Sequence, residues 1–172
     1  MKYDELIRDV IALAGGRINT ETRLRMIHYL LDHKGVQSGA LWYYSIRHHG
    51  PHSAQFERGL SEALLFRAVE ESIGYRPGDG AAYKTFTTSE PRTLPMLGAL
   101  ASQDAQALIL RMKTQSVTLL ELAASAHWFI VQEQDPSWDT TLRRRKGVLA
   151  ENGRLDAAVS FLRDLDLLPA TA

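Results

Sequence analysis

The sequence predicts a mixed α+β chain that is mostly helical, and three observations predict it. Apolar residues recur at i, i+3, i+4 and i+7 through most of the 172 residues, as in helices with one buried face. Only residues 69–88 carry a sustained period-two pattern with a strong turn signal at its centre, as in a hairpin. A second, shorter alternation falls just before a Gly-Pro pair in the stretch Leu41 to Leu64, around which the rest of the chain is organised. The boundaries that follow are a core over residues 1–90 and a helical C-terminal part over residues 91–172, packed together as one unit.

The elements are taken in order. Tyr3, Leu6, Ile7 and Val10 share a face, and Gly15-Gly16 ends that helix as C-cap glycines do. Asn19 or Thr20 caps a second helix, which places Leu24, Ile27, His28 and Leu31 on one side and stops near Gly35. From Trp42 to Arg47 the residues alternate as in a half-buried strand, with Trp42, Tyr44 and Ile46 on one face. Gly50-Pro51 is expected to turn the chain, and Ser53 to cap a helix carrying Phe56, Leu60, Ala63 and Leu64. Val69, Glu71, Ile73 and Tyr75 then alternate with Glu70, Ser72 and Gly74, and Arg76-Pro77-Gly78-Asp79-Gly80 leads back into Tyr83–Thr88. Two helices, a strand, a helix and a hairpin is the order of a winged-helix-like core. Beyond Pro91 and Pro95 come a helix with Ala105, Leu108, Ile109 and Met112 on one face and a mostly apolar helix from Val117 to Val131. A break at Asp135-Pro136, a segment from Trp138 and a last helix through Leu155, Ala158, Val159 and Leu162 complete the chain before Pro169.

Composition narrows the function classes. Cysteine is absent, which removes disulfides, thiolate metal sites and cysteine nucleophiles together. Twenty Lys and Arg balance twenty Asp and Glu, and the balance holds on each side of Glu90, so no basic half marks a nucleic-acid footprint. The N-terminus mixes both charges and has no apolar run of signal-peptide type. Val117–Val131 is shorter than the ~20 residues a bilayer crossing needs. A soluble, cytoplasmic protein with no membrane contact is expected.

At His48-His49-Gly50-Pro51-His52-Ser53 the chain resembles the His-Tyr-Gly-Pro-Tyr-Ser signature of YwgA-like proteins and the related Panacea (SocA-like) antitoxin domain. Gly15-Gly16-Arg17-Ile18 with Thr22-Arg23-Leu24, Leu119–Ile130 and Leu155–Leu168 extend the resemblance over most of the chain. It implies a winged-helix-like core and, by its better-understood branch, a protein that neutralises a toxin by contact. It supplies no catalytic residue. Histidine replaces tyrosine at His49 and His52, so partner identity does not carry over.

The expectation is therefore a non-enzymatic binding protein of antitoxin or adaptor type, without cofactor or metal, whose partner is a protein. The residues set against that partner are Tyr44, Arg47, His48, His49 and His52, on a turn held by Gly50 and Pro51 and followed by the cap Ser53. His48 and His52 are four apart, but Gly50-Pro51 between them denies the helical His-x-x-x-His geometry of a metal site. His28 and His127 read as satisfied core histidines. The runner-up is a winged-helix DNA regulator, for which Arg23, Arg25, Arg47 and the run Arg143-Arg144-Arg145-Lys146 are the candidate contacts; neutral charge makes weak binding the expectation. Third is a HEPN-like ribonuclease, since Arg23 and His28 fit its Arg-x4-His pattern, which is short enough to arise by chance. Gly78-x-Gly80 has Tyr83 where a third glycine would be needed, and no Gly-x-Ser-x-Gly is present. The oligomeric state is left open by the sequence.

Overall fold

Buried faces and cap residues set the elements of the fold, which a computed structural model describes for residues 2–36, 43–89 and 95–168. The chain is α+β and mostly helical, with small antiparallel sheets and a helical C-terminal part. Helix α1 (Tyr3–Leu13) buries Leu6, Ile7, Val10 and Ile11 and ends where Gly15 and Gly16 take positive φ. Strand β1 (Arg17–Asn19) follows, three residues long and too short for a periodic signal. Thr20 caps α2 (Glu21–His33): its hydroxyl accepts from the Arg23 amide at 3.3 Å, satisfying one of the amides a helix start leaves open. All four face residues of α2 are buried, His28 included.

The second alternation forms a two-stranded hairpin, β2 (Ser45–Arg47) with β3 (Gly50–His52). Trp42, where that strand was expected to begin, lies outside the described residues. The reversal falls at His48-His49 rather than at Gly50-Pro51, because Gly50 and Pro51 already pair with Arg47 and Ile46. Proline fits there as a strand residue at an edge, where no ladder amide is required of it. Gly50 has φ +100°, and a Cβ on it would sit 3.2 Å from both Met26 Sδ and Ser125 Oγ, so the hairpin rests with its backbone directly on α2 and on helix α5, described below.

Ser53 is buried and caps α3 (Ala54–Leu65), its Oγ accepting from the Phe56 amide at 3.4 Å. Strands β4 (Glu70–Tyr75) and β5 (Ala82–Thr87) pair antiparallel, and β1 adds to the other edge of β5 to give the order β1-β5-β4. The order of residues 3–87, helix, strand, helix, short hairpin, helix, hairpin, is that of a winged-helix-like core with the β2–β3 hairpin set between α2 and α3. The extra strand of its sheet is β1, rather than the segment before Arg47.

Two short strands, β6 (Met96–Leu97) and β7 (Leu100–Ala101), pair ahead of α4 (Ser102–Lys113). Pro91 and Pro169 lie outside the described residues. Helix α5 (Val117–His127) is capped by Ser116 and buries Leu120 through His127 without a break. It runs on as a π-helical turn, Trp128–Gln132, closed by the Glu133 amide on the Trp128 carbonyl. Asp135 then accepts from the Ser137 amide and the Thr141 hydroxyl, which starts α6 (Trp138–Lys146). A 3-10 turn (Gly147–Ala150) leads to α7 (Arg154–Asp164). Helix α5 packs between α2 and α7, and α4 packs on α1 and α2, so the helical half closes over the core. Lys113 Nζ donates to the Ala14 carbonyl at 2.7 Å across that contact. No described helix is long and apolar enough to cross a membrane.

Candidate functional site

The hairpin, the end of α5 and α6 enclose a cleft of about 310 Å³. Arg47 and His48 enter it from the hairpin, Ser125 and Phe129 from α5 and its π-helical turn, Arg145 and Lys146 from α6. Two groups that lie a hundred residues apart in the sequence, the histidine turn and the basic run, thus share one wall-to-wall space. Lys146 is buried and holds the two together: its ammonium donates to the His48 carbonyl and to Glu121 Oε1, each at 2.5 Å. A buried ammonium needs such partners, since unpaired burial of a charge is costly. Glu121 also lies 3.6 Å from the His49 ring. Arg145 stands with its guanidinium 5.0 Å over the Phe129 ring, a cation–π contact. Neither Arg47 nor Arg145 has a carboxylate partner among the described residues. Ser125 Oγ, fully buried, has no hydrogen-bond partner among them.

A second polar cluster lies between α2 and α5, buried at Tyr29 and His127 and half-buried at Asp32, His33 and Tyr44. Tyr29 Oη and His127 Nδ1 share a hydrogen bond of 2.8 Å, and His33 Nδ1 pairs with the Tyr29 carbonyl at 2.8 Å. The His33 and His127 rings are 4.6 Å apart, and Tyr44 stacks edge-on against Tyr29 at 4.9 Å. Tyr44 Oη donates to Asp32 at 3.0 Å. Burial pushes the Asp32 carboxyl up to about 7, only partly opposed by the Tyr44 hydroxyl. It pushes His127 down to about 3, with His33 adding to the effect, and lowers His33 as well. The Tyr29 and Tyr44 phenols are both raised by burial.

The residues singled out in the sequence scatter over these places. Arg47, His48 and His49 are exposed at the hairpin tip, with the two imidazoles 4.9 Å apart edge to face. Tyr44 turns into the buried cluster. His52 is largely covered, 3.3 Å from Glu57, and burial lowers its pKa before any charge acts. Arg23 is held by the Asn19 and Gln115 carbonyls at 3.1 and 3.0 Å. His28 is buried against the Phe56 ring and pushed down to about 3 by burial. Five residues apart on one helix, those two are about 140° apart around its axis and do not face one substrate. Arg25 pairs with Glu21 at 3.5 Å. Of the basic run, Arg143 pairs with Asp139 at 2.8 Å and donates to the Ala150 carbonyl, Arg144 is exposed, and Arg145 enters the cleft. No set of three His, Asp or Glu side chains converges on a metal position among the described residues.

Ser125, Phe129 and Glu121 were not singled out as site residues. Glu121, the lone charge in the apolar run Val117–Val131, is the signal that could have found them, since a carboxylate in a buried helix calls for a cation.

The wing presents a different surface. Ile73 and Tyr75 stand opposite Lys84 and Ala82, on the sheet face that sends Phe86 and Ile18 into the core. The core ends before it reaches them, leaving them 63% and 69% exposed. Leu65 and Phe66, where α3 runs out, are 76% and 69% exposed. Two of the four cations here are matched, Arg76 with Asp79 at 3.2 Å and Lys84 with Glu71 at 3.1 Å, while Arg58 and Arg67 are exposed with no carboxylate partner among the described residues.

No protein-family model matches this chain, and no curated protein or solved structure is similar to it.

Proposed function

We propose that the chain is a non-enzymatic binding protein of antitoxin or adaptor type that acts by contact with another protein. The observation that carries this reading is the character of α3 and the wing. In a winged-helix protein that reads DNA these are the parts that meet the duplex, and cations there would neutralise phosphates. Here residues 54–87 hold Arg58, Arg67, Arg76 and Lys84 against five carboxylates. What they expose instead is Leu65, Phe66, Ile73 and Tyr75. Aromatic and aliphatic side chains with a polar surround suit the centre of a protein interface. The likeness of His48–Ser53 to the antitoxin signature supports the same reading.

An Ile73→Ser/Tyr75→Ser double variant tests it. Both side chains are exposed, so the unfolding midpoint should stay close to the parent's. Capture of the native-host partner should fall by about tenfold or more, as expected for removing interface anchors. Unchanged capture would sink the reading. A second reading, a DNA regulator, draws support from Arg47, Arg144 and Arg145, which lack carboxylate partners among the described residues. Duplex titration at two salt concentrations separates the two: the first reading expects affinity weaker than the ~10⁻⁴–10⁻⁶ M of non-specific binders.

A further inference from the structure

We propose that the cleft between the β2–β3 hairpin and α6 is a binding site for a phosphate monoester. It stands apart from the wing, both in place and in evidence.

The donors are arranged for a multiply charged oxyanion. Arg47 and Arg145 reach the cleft from opposite elements, and neither is neutralised by a carboxylate among the described residues. The carboxylate beside the cleft, Glu121, is engaged by the Lys146 ammonium and lies next to His49, so it subtracts little from the two guanidinium charges. Lys146 is a positioning residue: by holding the His48 carbonyl it ties the hairpin to α6 and fixes the width between the arginines. Phe129 lies under the Arg145 guanidinium, 5.0 Å from its central carbon, a contact that favours a positioned cation beside the cleft.

Ser125 supplies an independent observation. Ser125 lines the cleft; its hydroxyl is fully buried, beside Gly50, and finds no partner among the described residues, not even the carbonyl one turn earlier. Leaving a buried hydroxyl unpaired is costly. Threading an apolar residue into this position would remove that cost, and alanines already flank it at Ala123, Ala124 and Ala126. A ligand oxygen that accepts from Ser125 accounts for the serine.

The number of donors selects the anion. A carboxylate has two oxygens and is satisfied by one arginine fork. A phosphodiester presents two free oxygens and a single charge. A phosphate monoester has three oxygens and about −1.5 to −2 charges, enough to take both guanidiniums and the serine hydroxyl together. The cleft opens to solvent beside His48, so the esterified fourth oxygen can carry a small molecule or a modified side chain of a protein partner.

Calorimetric titration of the full chain with inorganic phosphate, O-phosphoserine and a phosphoserine peptide tests the site. Saturable binding at one site per chain is expected. Arg47→Gln and Arg145→Gln, both at exposed positions, should each weaken it by about tenfold, the loss expected for a charge-assisted hydrogen bond. Ser125→Ala should weaken it several-fold while leaving the unfolding midpoint unchanged or higher, since the hydroxyl has no protein partner to lose. Arg144→Ala, outside the cleft, should bind as the parent does. Tighter binding of the peptide would assign the site to a modified protein, and equal binding to a small phosphate. Three results would overturn the proposal: no saturation in the millimolar range, phosphate binding that ignores the Arg47, Arg145 and Ser125 changes, or a duplex that binds more tightly than O-phosphoserine and is lost with the same variants.

Discussion

The histidines of α2 and α5 and those of the β2–β3 hairpin put the same ring into opposite surroundings. His28 and His127 sit inside, His33 is half-buried, and burial depresses all three. Their nitrogens answer to neighbours: Tyr29 Oη for His127, the Tyr29 carbonyl and Gln132 for His33. His48 and His49 stand in water at the hairpin tip, and only His52 of that group is covered. In the sequence the hairpin histidines look like the cluster, being three within five residues. In space the closer association is that of His33 with His127, which are 94 positions apart. Nearness along the chain flagged the exposed group, whereas the buried group is assembled by helix packing alone.

The sharpest way to break this comparison is to empty the interior. Tyr29→Ala removes a fully buried ring and leaves His127 Nδ1 without its phenol, so unfolding free energy measured in urea should fall by about 3–5 kcal/mol. A loss under about 1 kcal/mol would mean that the cluster does not organise the α2–α5 contact.

A smaller effect concerns acidity. His28 and His127 are held near pH 3 in the folded chain against about 6.5 unfolded, so the unfolded chain binds two more protons in between. Their contribution to stability is complete above pH ~6.5 and is lost as pH falls toward 3. Asp32 runs the other way: raised from 3.8 to about 7, it holds a proton in the folded chain that the unfolded chain releases, which costs stability as pH rises across that interval. From these three groups, stability should climb by about 1.4 kcal/mol per pH unit between pH ~4 and 6.5. Asp32→Asn removes the opposing proton and should roughly double that slope. Urea midpoints at pH 4.5, 5.5 and 6.5 check it, and a slope unchanged by Asp32→Asn would refute the assignment.

Least should happen at the tip. The His48→Ala/His49→Ala double variant should stay within about 0.5 kcal/mol of the parent, as exposed substitutions do. A larger loss by the same measurement would move these rings to the structural side of the comparison.

Much of this was legible in the residues, and the limits have physical causes. Helical periodicity placed α1 through α5 and α7, the Ser53 cap and the choice of Asn19 or Thr20 before α2 showed in the residues, and the alternation from Val69 to Tyr75 with Tyr83–Thr88 found the wing. The strands β1, β6 and β7 have three residues or fewer, too few for any period to register. The turn was misplaced by two residues because Gly-Pro usually marks a reversal, while here close packing of Gly50 on Ser125 and Met26 demanded the glycine instead. Ile73 and Tyr75 keep the alternation yet stand exposed, because a local pattern cannot tell how far the core extends beneath it. For the cleft, Arg47, His48 and Arg145 were in view as separate groups. Their meeting depends on how α6 folds back over the hairpin, and no local spacing encodes that.

The π-helical turn at Trp128–Gln132 has a consequence for how such a chain can change. A turn closed five residues apart holds one residue more than its α-helical neighbours. Removing one residue there would let it close as ordinary helix and leave the downstream chain facing as before, since the wide turn has absorbed the extra residue; the same deletion inside α5 would swing everything downstream by about 100°. The Asp135 break and α6 would be re-aimed together, and Arg145 and Lys146 with them. The wide turn is therefore a place where the chain can lose one residue and keep the cleft, whereas the same loss within α5 would abolish it.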